Sequence, residues 1–324
     1  MTRTELTASY TLDRFRVEVT ADDPSVLRYL AAFFERTPDR CGLPPAARLT
    51  VSGTAPATDA PALRTAHGVT VTRNQDTVTV TGPRLRDRAI TARKVVRALW
   101  LERLLAGEAT ILHASAAADA RRVLIFTGAS GAGKSSLMLD AVLRHGWQYL
   151  GDDRVALWER DGRLHLAPLP SVVRVRQGTA RALGSRLPCA PPPEALLPGP
   201  PEFPAEDEPG VVVFLPLRAV AAQPLPVVCL AQRAATVVFT SLAPAHRPAS
   251  LRPINAESAA RLLADRVHGD RIAELTGCGL LPGWHLDPDH VGQATRRLLN
   301  RLVAQTDAWS YLHHGHLPIQ LTHG

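Results

Sequence analysis

The sequence predicts an α/β protein: a larger part with a mixed β-sheet around a Gly-rich loop, preceded by a small α+β domain at the amino terminus. Three observations carry that expectation. Residues 121–146 read as strand, loop and helix in turn: the apolar run RRVLIFTG, then GASGAGKS, then SLMLDAVLRHG. Short runs that alternate apolar and polar residues fill the first 84 positions, as half-buried strands do. Past the loop, apolar runs are separated by turn signals such as Asp161-Gly162, so neighbouring strands return as hairpins and the sheet is mixed.

Taken in order, Pro24 to Arg36 has apolar residues at helical spacing, with Asp23 as its cap and a proline suited to the first helical position. ARLTVSG, residues 47–53, alternates as a strand. GVTVTRNQDTVTVTG, residues 68–82, reads as a hairpin turning at Asn74, Gln75 and Asp76. These elements form the predicted domain 1–84. The amphipathic stretch 85–108 predicts a long helix ending at Gly107 that bridges to a second domain, 85–324. ATILHASAAA and RRVLIFTG then read as two strands around a turn at residues 119–122, with a helix from the loop to about Arg144. QYLGDDRVALWERDGRLHLAPLPSVVRVR supplies more strands. The Pro-rich, acidic stretch 188–209 cannot hold regular helix or central strand and predicts a mobile surface loop. GVVVFLPL and LPVVCLAQR read as buried strands, and 257–275 and 290–305 as helices, the first stopped by Gly277. The tail with His313, His314 and His316 lacks acidic or cysteine partners and reads as solvated.

Bulk properties narrow the function. With 324 residues, 45% apolar and 21% charged, the chain can bury a sizeable core. The net charge of +7 is spread along the chain, and aromatic residues are only 5%, so a nucleic-acid stripe with interleaved aromatics is not expected, although anionic partners in general are. Cys41, Cys189, Cys229 and Cys278 lie far apart without metal-ligand spacing and read as small core residues rather than zinc ligands or a disulfide framework. No run reaches signal-peptide or membrane-span length, which predicts a cytoplasmic protein with no membrane partner.

Three motifs carry chemistry. In Gly128, Ala129, Ser130, Gly131, Ala132, Gly133, Lys134 and Ser135 the glycines allow backbone N–H groups to curl around phosphates. Lys134 reaches the terminal phosphates and Ser135 offers its hydroxyl to Mg2+, while Ser136 follows in the helix whose positive dipole end faces the anion. The adjacent carboxylates Asp152 and Asp153 follow a strand; such a pair can divide cation binding and proton acceptance, and a solvated Gly-Asp-Asp turn is the bland alternative. His113 lies on the apolar strand before the loop, where a satisfied core histidine is the ordinary reading.

In this order LHASA, GASGAGKSS and GWQYLGDDRVAL resemble the catalytic domain of HPr kinase/phosphorylase and its relatives, and the Gly-Asp-Asp is similar to that of ATP-dependent phosphoenolpyruvate carboxykinases, which share the fold. The resemblance covers residues 110–157. It implies a P-loop core of that type, in which Lys134 and Ser135 bind ATP and Mg2+, Asp152 and Asp153 supply the metal ligand and the catalytic base, and His113 lies beside the transferred phosphate. Asp153 is taken as the base. The family's Glu-Ile-Arg-Gly-Leu-Gly segment is replaced here by SVVRVRQG, residues 171–178, which has no carboxylate. Arg174 and Arg176 either clamp phosphate or line an exposed strand face. The expectation is an ATP-dependent kinase acting on a serine of a precursor peptide or protein, like the stand-alone kinases of modified-peptide pathways. A small-molecule hydroxyl acceptor and a nucleotide-dependent peptide-binding module are the alternatives. Oligomeric state stays open.

Overall fold

Period-two alternation in Leu6–Leu12 (β1) and Phe15–Ala21 (β2) produces an antiparallel hairpin that turns through Asp13, whose φ of 56° suits a tight two-residue connection. The computed structural model describes residues 6–37, 44–54, 60–170, 173–188, 193–198, 211–215, 227–244, 246–266, 280–285 and 287–322. It is a mixed α/β structure in two units. One comprises Met1–Leu104, Pro191–Phe203 and Arg271–Leu286, the other Leu105–Ala190, Pro204–Asp270 and Asp287–Gly324.

In the first unit α1 (Pro24–Leu30) starts as its sequence dictates: the Asp23 carboxylate accepts from Ser25 N at 2.8 Å and Pro24 occupies the first turn. The helix stops well short of the expected Arg36. Phe34 packs edge-on against Tyr10 with ring centres 6.1 Å apart, and Glu35–Arg36 (β3) pairs antiparallel with β1, so tertiary pairing overrides the helical spacing. Ala47–Ser52 (β4), Ala62–Arg64 (β5), Thr70–Asn74 (β6) and Thr77–Thr81 (β7) complete a sheet of order β3-β1-β2-β4-β7-β6-β5 among the described residues. The β6–β7 hairpin forms with Asn74 opposite Thr77. Val17, Val19, Leu49, Val51, Val78 and Val80 are buried, as alternation requires. Leu85–Ala106 (α2) is the long helix, and its Glu102 takes a two-pronged ion pair from Arg73 of β6 at 2.7 and 3.0 Å.

The second unit begins with a departure. ATILHASAAA is not one strand: Thr110–Leu112 (β8) and Ala114–Ala118 (β9) separate at His113 and join different sheets. β9 pairs antiparallel with Arg122–Thr127 (β10), which feeds the loop and then Lys134–His145 (α3). Gln148–Gly151 (β11), Ala234–Leu242 (β17), Ser250–Pro253 (β18) and Thr306–His313 (β19) complete the sheet β11-β9-β10-β17-β19-β18, which has both parallel and antiparallel neighbours. Val155–Arg160 (β12) and Arg163–Pro168 (β13) turn at Asp161-Gly162 and, with β8 and Val228–Cys229 (β16), form a second sheet. Val173–Arg176 (β14) pairs with Val211–Leu215 (β15), followed in sequence from β14 by the short helix Gln177–Leu183 (α4).

Both faces of the larger sheet are covered. Ala116, Val123, Ile125 and Val237 join a core with Leu263 of Ala256–Ala264 (α5) and Leu298 and Leu302 of Pro288–Ala304 (α6). Ala117, Leu124, Phe126 and Val238 join another with Leu137, Met138 and Ala141 of α3. That explains why VLIF is continuously apolar rather than alternating. The described residues of LPVVCLAQR hold the two-residue β16 before a 3-10 turn at Leu230–Gln232. Cys229 is half-buried; Cys41, Cys189 and Cys278 lie outside the described residues, as do 267–275 of the expected helix 257–275 and most of the expected loop at 188–209, in which Pro193–Leu196 is a 3-10 turn.

Candidate functional site

Strand direction gathers the site. β10, β17 and β19 run parallel, so their carboxyl ends share one edge of the sheet, the edge at which α/β folds place ligands. β9 runs opposite to β10 and begins at that edge with Ala114 opposite Thr127; β11 runs opposite to β9 and ends there. His113 and Ser115, the Gly128–Lys134 loop, Asp152 and Asp153, Thr240 and His313 therefore come from five strands to one place. His113 is fixed at the switch between the two sheets: its N–H donates to Arg266 O at 3.2 Å and its carbonyl accepts from Thr127 Oγ1 at 3.3 Å.

The loop is tight at two of its glycines, Gly128 and Gly133. A Cβ on Gly128 would lie 2.6 Å from Thr240 O, and Thr240 Oγ1 also donates to Thr127 O at 3.2 Å. Gly133 stands at φ 85° immediately before α3, whose first turn presents Lys134 and Ser135. Lys134 is buried, and its Nζ donates to Gly128 O and Ala129 O, each at 3.1 Å. Burial lowers its pKa; the Asp153 and Asp152 charges oppose that shift, and those of Arg266 and Arg176 add to it. Ala129, Ser130 and Gly131 are exposed at the crest. Ser136 turns inward, where its hydroxyl shares a 2.6 Å hydrogen bond with Thr179 of α4.

The two aspartates are separated by environment. Asp152 is 3% exposed, and its Oδ1 accepts from Ser135 Oγ at 2.6 Å and from Ser115 Oγ at 2.7 Å. Burial raises its pKa, with the Asp153 charge adding to the effect, against the two hydroxyl bonds and Lys134. Asp153 has a half-exposed side chain on a backbone at φ 65°. Its Oδ1 lies 3.3 Å from His113 Nε2 and its Oδ2 lies 3.6 Å from Arg154 Nε. One carboxylate thus belongs to the interior with Ser135 and the other faces solvent beside an imidazole. Among the described residues no three His, Cys, Asp or Glu side chains gather as a metal cage. The touching oxygens of Ser135 and Asp152 are nevertheless hard donors of the kind that hold Mg2+ together with waters and phosphate.

Ser115 and Thr240 were not singled out in the sequence, and His313 was read there only as part of a solvated tail. That reading fails at His313, the last residue of β19, which is fully buried. Its Nε2 donates to Ala132 O at 3.0 Å, and its Nδ1 accepts from Gly315 N at 2.9 Å, so the ring is the neutral Nε2–H tautomer. His314 and His316 are exposed. Arg176 is exposed at the start of α4, and the side chain of Arg174 lies outside the description.

No protein-family model matches the chain, and no curated protein matches it in sequence.

Proposed function

We propose that the chain is an ATP-dependent phosphotransferase of the HPr kinase type, with a P-loop core of that family, and that it transfers the γ-phosphoryl group to a serine hydroxyl of a peptide or protein. The observation that carries this reading is the meeting, at one sheet edge, of a buried lysine in a glycine loop, a partly buried Ser135–Asp152 pair and a second, exposed carboxylate. Phosphoryl transfer needs those parts: cation and N–H donors for phosphate, oxygen ligands for a divalent ion, and a base reachable by the acceptor.

Ser135 and Asp152 would hold Mg2+, which when bound supplies charge neutralisation across the phosphates. Lys134, which donates to loop carbonyls here, turns its ammonium to the terminal phosphate oxygens and offsets charge as the bridging bond breaks. Asp153 accepts the proton of the incoming hydroxyl. His113 beside it orients the carboxylate and faces the group in transit. The acceptor oxygen forms its bond to the γ-phosphorus, the bond to the β–γ bridging oxygen breaks, the proton goes to Asp153 and ADP departs.

The test is mass spectrometry after incubation of the protein with ATP, Mg2+, serine peptides and free serine and threonine. A phosphorylated peptide establishes the reading. Phosphate only on a free amino acid moves the acceptor to a small molecule, and tight MgATP binding without product replaces the enzyme with a nucleotide-dependent binding module.

A further inference from the structure

The nucleotide loop has a partner far away in the chain. His313 lies 181 residues from Ala132, yet its ring sits directly beneath the loop. A Cβ on Gly133 would fall 2.3 Å from His313 Cε1 and 2.7 Å from Nε2, so the glycine leaves room for the imidazole as well as supplying its positive φ. The ring is held on every side that matters. Tyr311 stacks on it with centres 5.3 Å apart, Gly315 N–H donates to Nδ1, and Leu242 of β17 borders the same space. Burial lowers the histidine's pKa and favours the neutral form that these bonds require.

The geometry points to His313 as a positioning residue for phosphate binding: by holding the Ala132 carbonyl toward β19 it aims the Gly133 N–H outward, to the anion. The step follows from peptide planarity. In a trans peptide the C=O of one residue and the N–H of the next point in opposite directions, so fixing the first fixes the second. The loop then presents a donor already oriented, and binding does not have to order it. This rests on reading residues 128–135 as the nucleotide site.

The test compares His313→Gln, which can place an amide N–H near the position of Nε2, with His313→Asn, one methylene too short, and His313→Phe, which keeps a ring without a donor. Isothermal titration with MgATP is expected to show the Gln protein within about threefold of wild type and the Asn and Phe proteins weakened by about tenfold, the size of one lost hydrogen bond. Hydrogen exchange over residues 128–137 is read in parallel, with faster exchange expected for Asn and Phe and wild-type protection for Gln. Should Phe fail to fold, Asn against Gln carries the comparison. Wild-type affinity and wild-type exchange in the Asn and Phe variants overturn the inference. If wild type itself binds no MgATP, the nucleotide reading falls, and the exchange pattern alone decides whether His313 holds the loop.

Discussion

The two units handle buried charge differently. In the first, the buried Arg88 is matched: its guanidinium donates to Gly82 O at 2.7 Å and pairs with Asp22 at 3.3 Å, tying α2 to the strand ends. In the second, the buried Asp152 is held by two serine hydroxyls and the buried Lys134 by two backbone carbonyls, and the pKa of each moves toward neutrality. Removing one partner of a matched buried charge is costly to a fold; a buried charge whose hydrogen bonds come only from hydroxyls and carbonyls is expensive to keep ionised, and such groups concentrate where chemistry is done. Even within the second unit Asp140 shows the contrast, since it accepts from Leu317 N at 2.9 Å and sits 3.0 Å from Arg144 Nε, which makes it a staple for the carboxyl-terminal segment.

The sharpest way to break this comparison is Asp153→Asn. The position lies at φ 65°, which asparagine tolerates, and the side chain is half-exposed, so the fold should be unaffected. Turnover is expected to fall by about a thousandfold, the range of a lost general base, with MgATP affinity within about threefold of wild type. Most of the activity surviving in steady-state assays would remove Asp153 as the base. Leu49→Ala in the first unit should do the reverse. Leu49 is 1% exposed in the middle of β4, and the cavity is expected to cost about 2–4 kcal/mol in denaturant unfolding while the folded protein binds MgATP as before. Unchanged stability there would mean that the first sheet does not carry the load its packing implies.

What the sequence revealed was local. The strand, loop and helix at 122–145 and the hairpin turns at Gln75-Asp76 and Asp161-Gly162 are written in contiguous residues, where glycine and turn chemistry leave few alternatives. What it hid was long-range. β17 and β19 pair parallel, with no turn between them to announce it, and β19, TDAWSYLH, mixes polar and apolar residues in a run that continues into histidines. His113 divides one apolar stretch between two sheets, a break with no local signal. The site shares this division: the loop, the aspartate pair and His113 are legible as motifs, whereas Ser115, Thr240 and His313 gain meaning only once five strands meet.

The smallest expected effect is the most discriminating, because its sign is opposite to that of an ordinary core mutation. Asp152→Asn keeps an oxygen able to accept from Ser115 and Ser135 and removes the buried charge. The folded-state pKa of Asp152 is raised, chiefly by burial, so relative to an unperturbed aspartate its ionisation counts against the folded state. That penalty is absent in acid, where the carboxyl is protonated in both folded and unfolded protein, and it is fully present once the pH has risen through the folded-state value. Thermal melts should therefore show the Asn protein more stable than wild type at neutral pH, with the advantage shrinking as the solution is acidified. If Asp152 holds the ion as proposed, added MgATP should then raise the melting temperature of wild type and leave the variant nearly unmoved. A variant less stable than wild type at neutral pH would place Asp152 with Arg88 and Asp140 among the structural charges, and the contrast between the two kinds of buried charge would no longer mark the site.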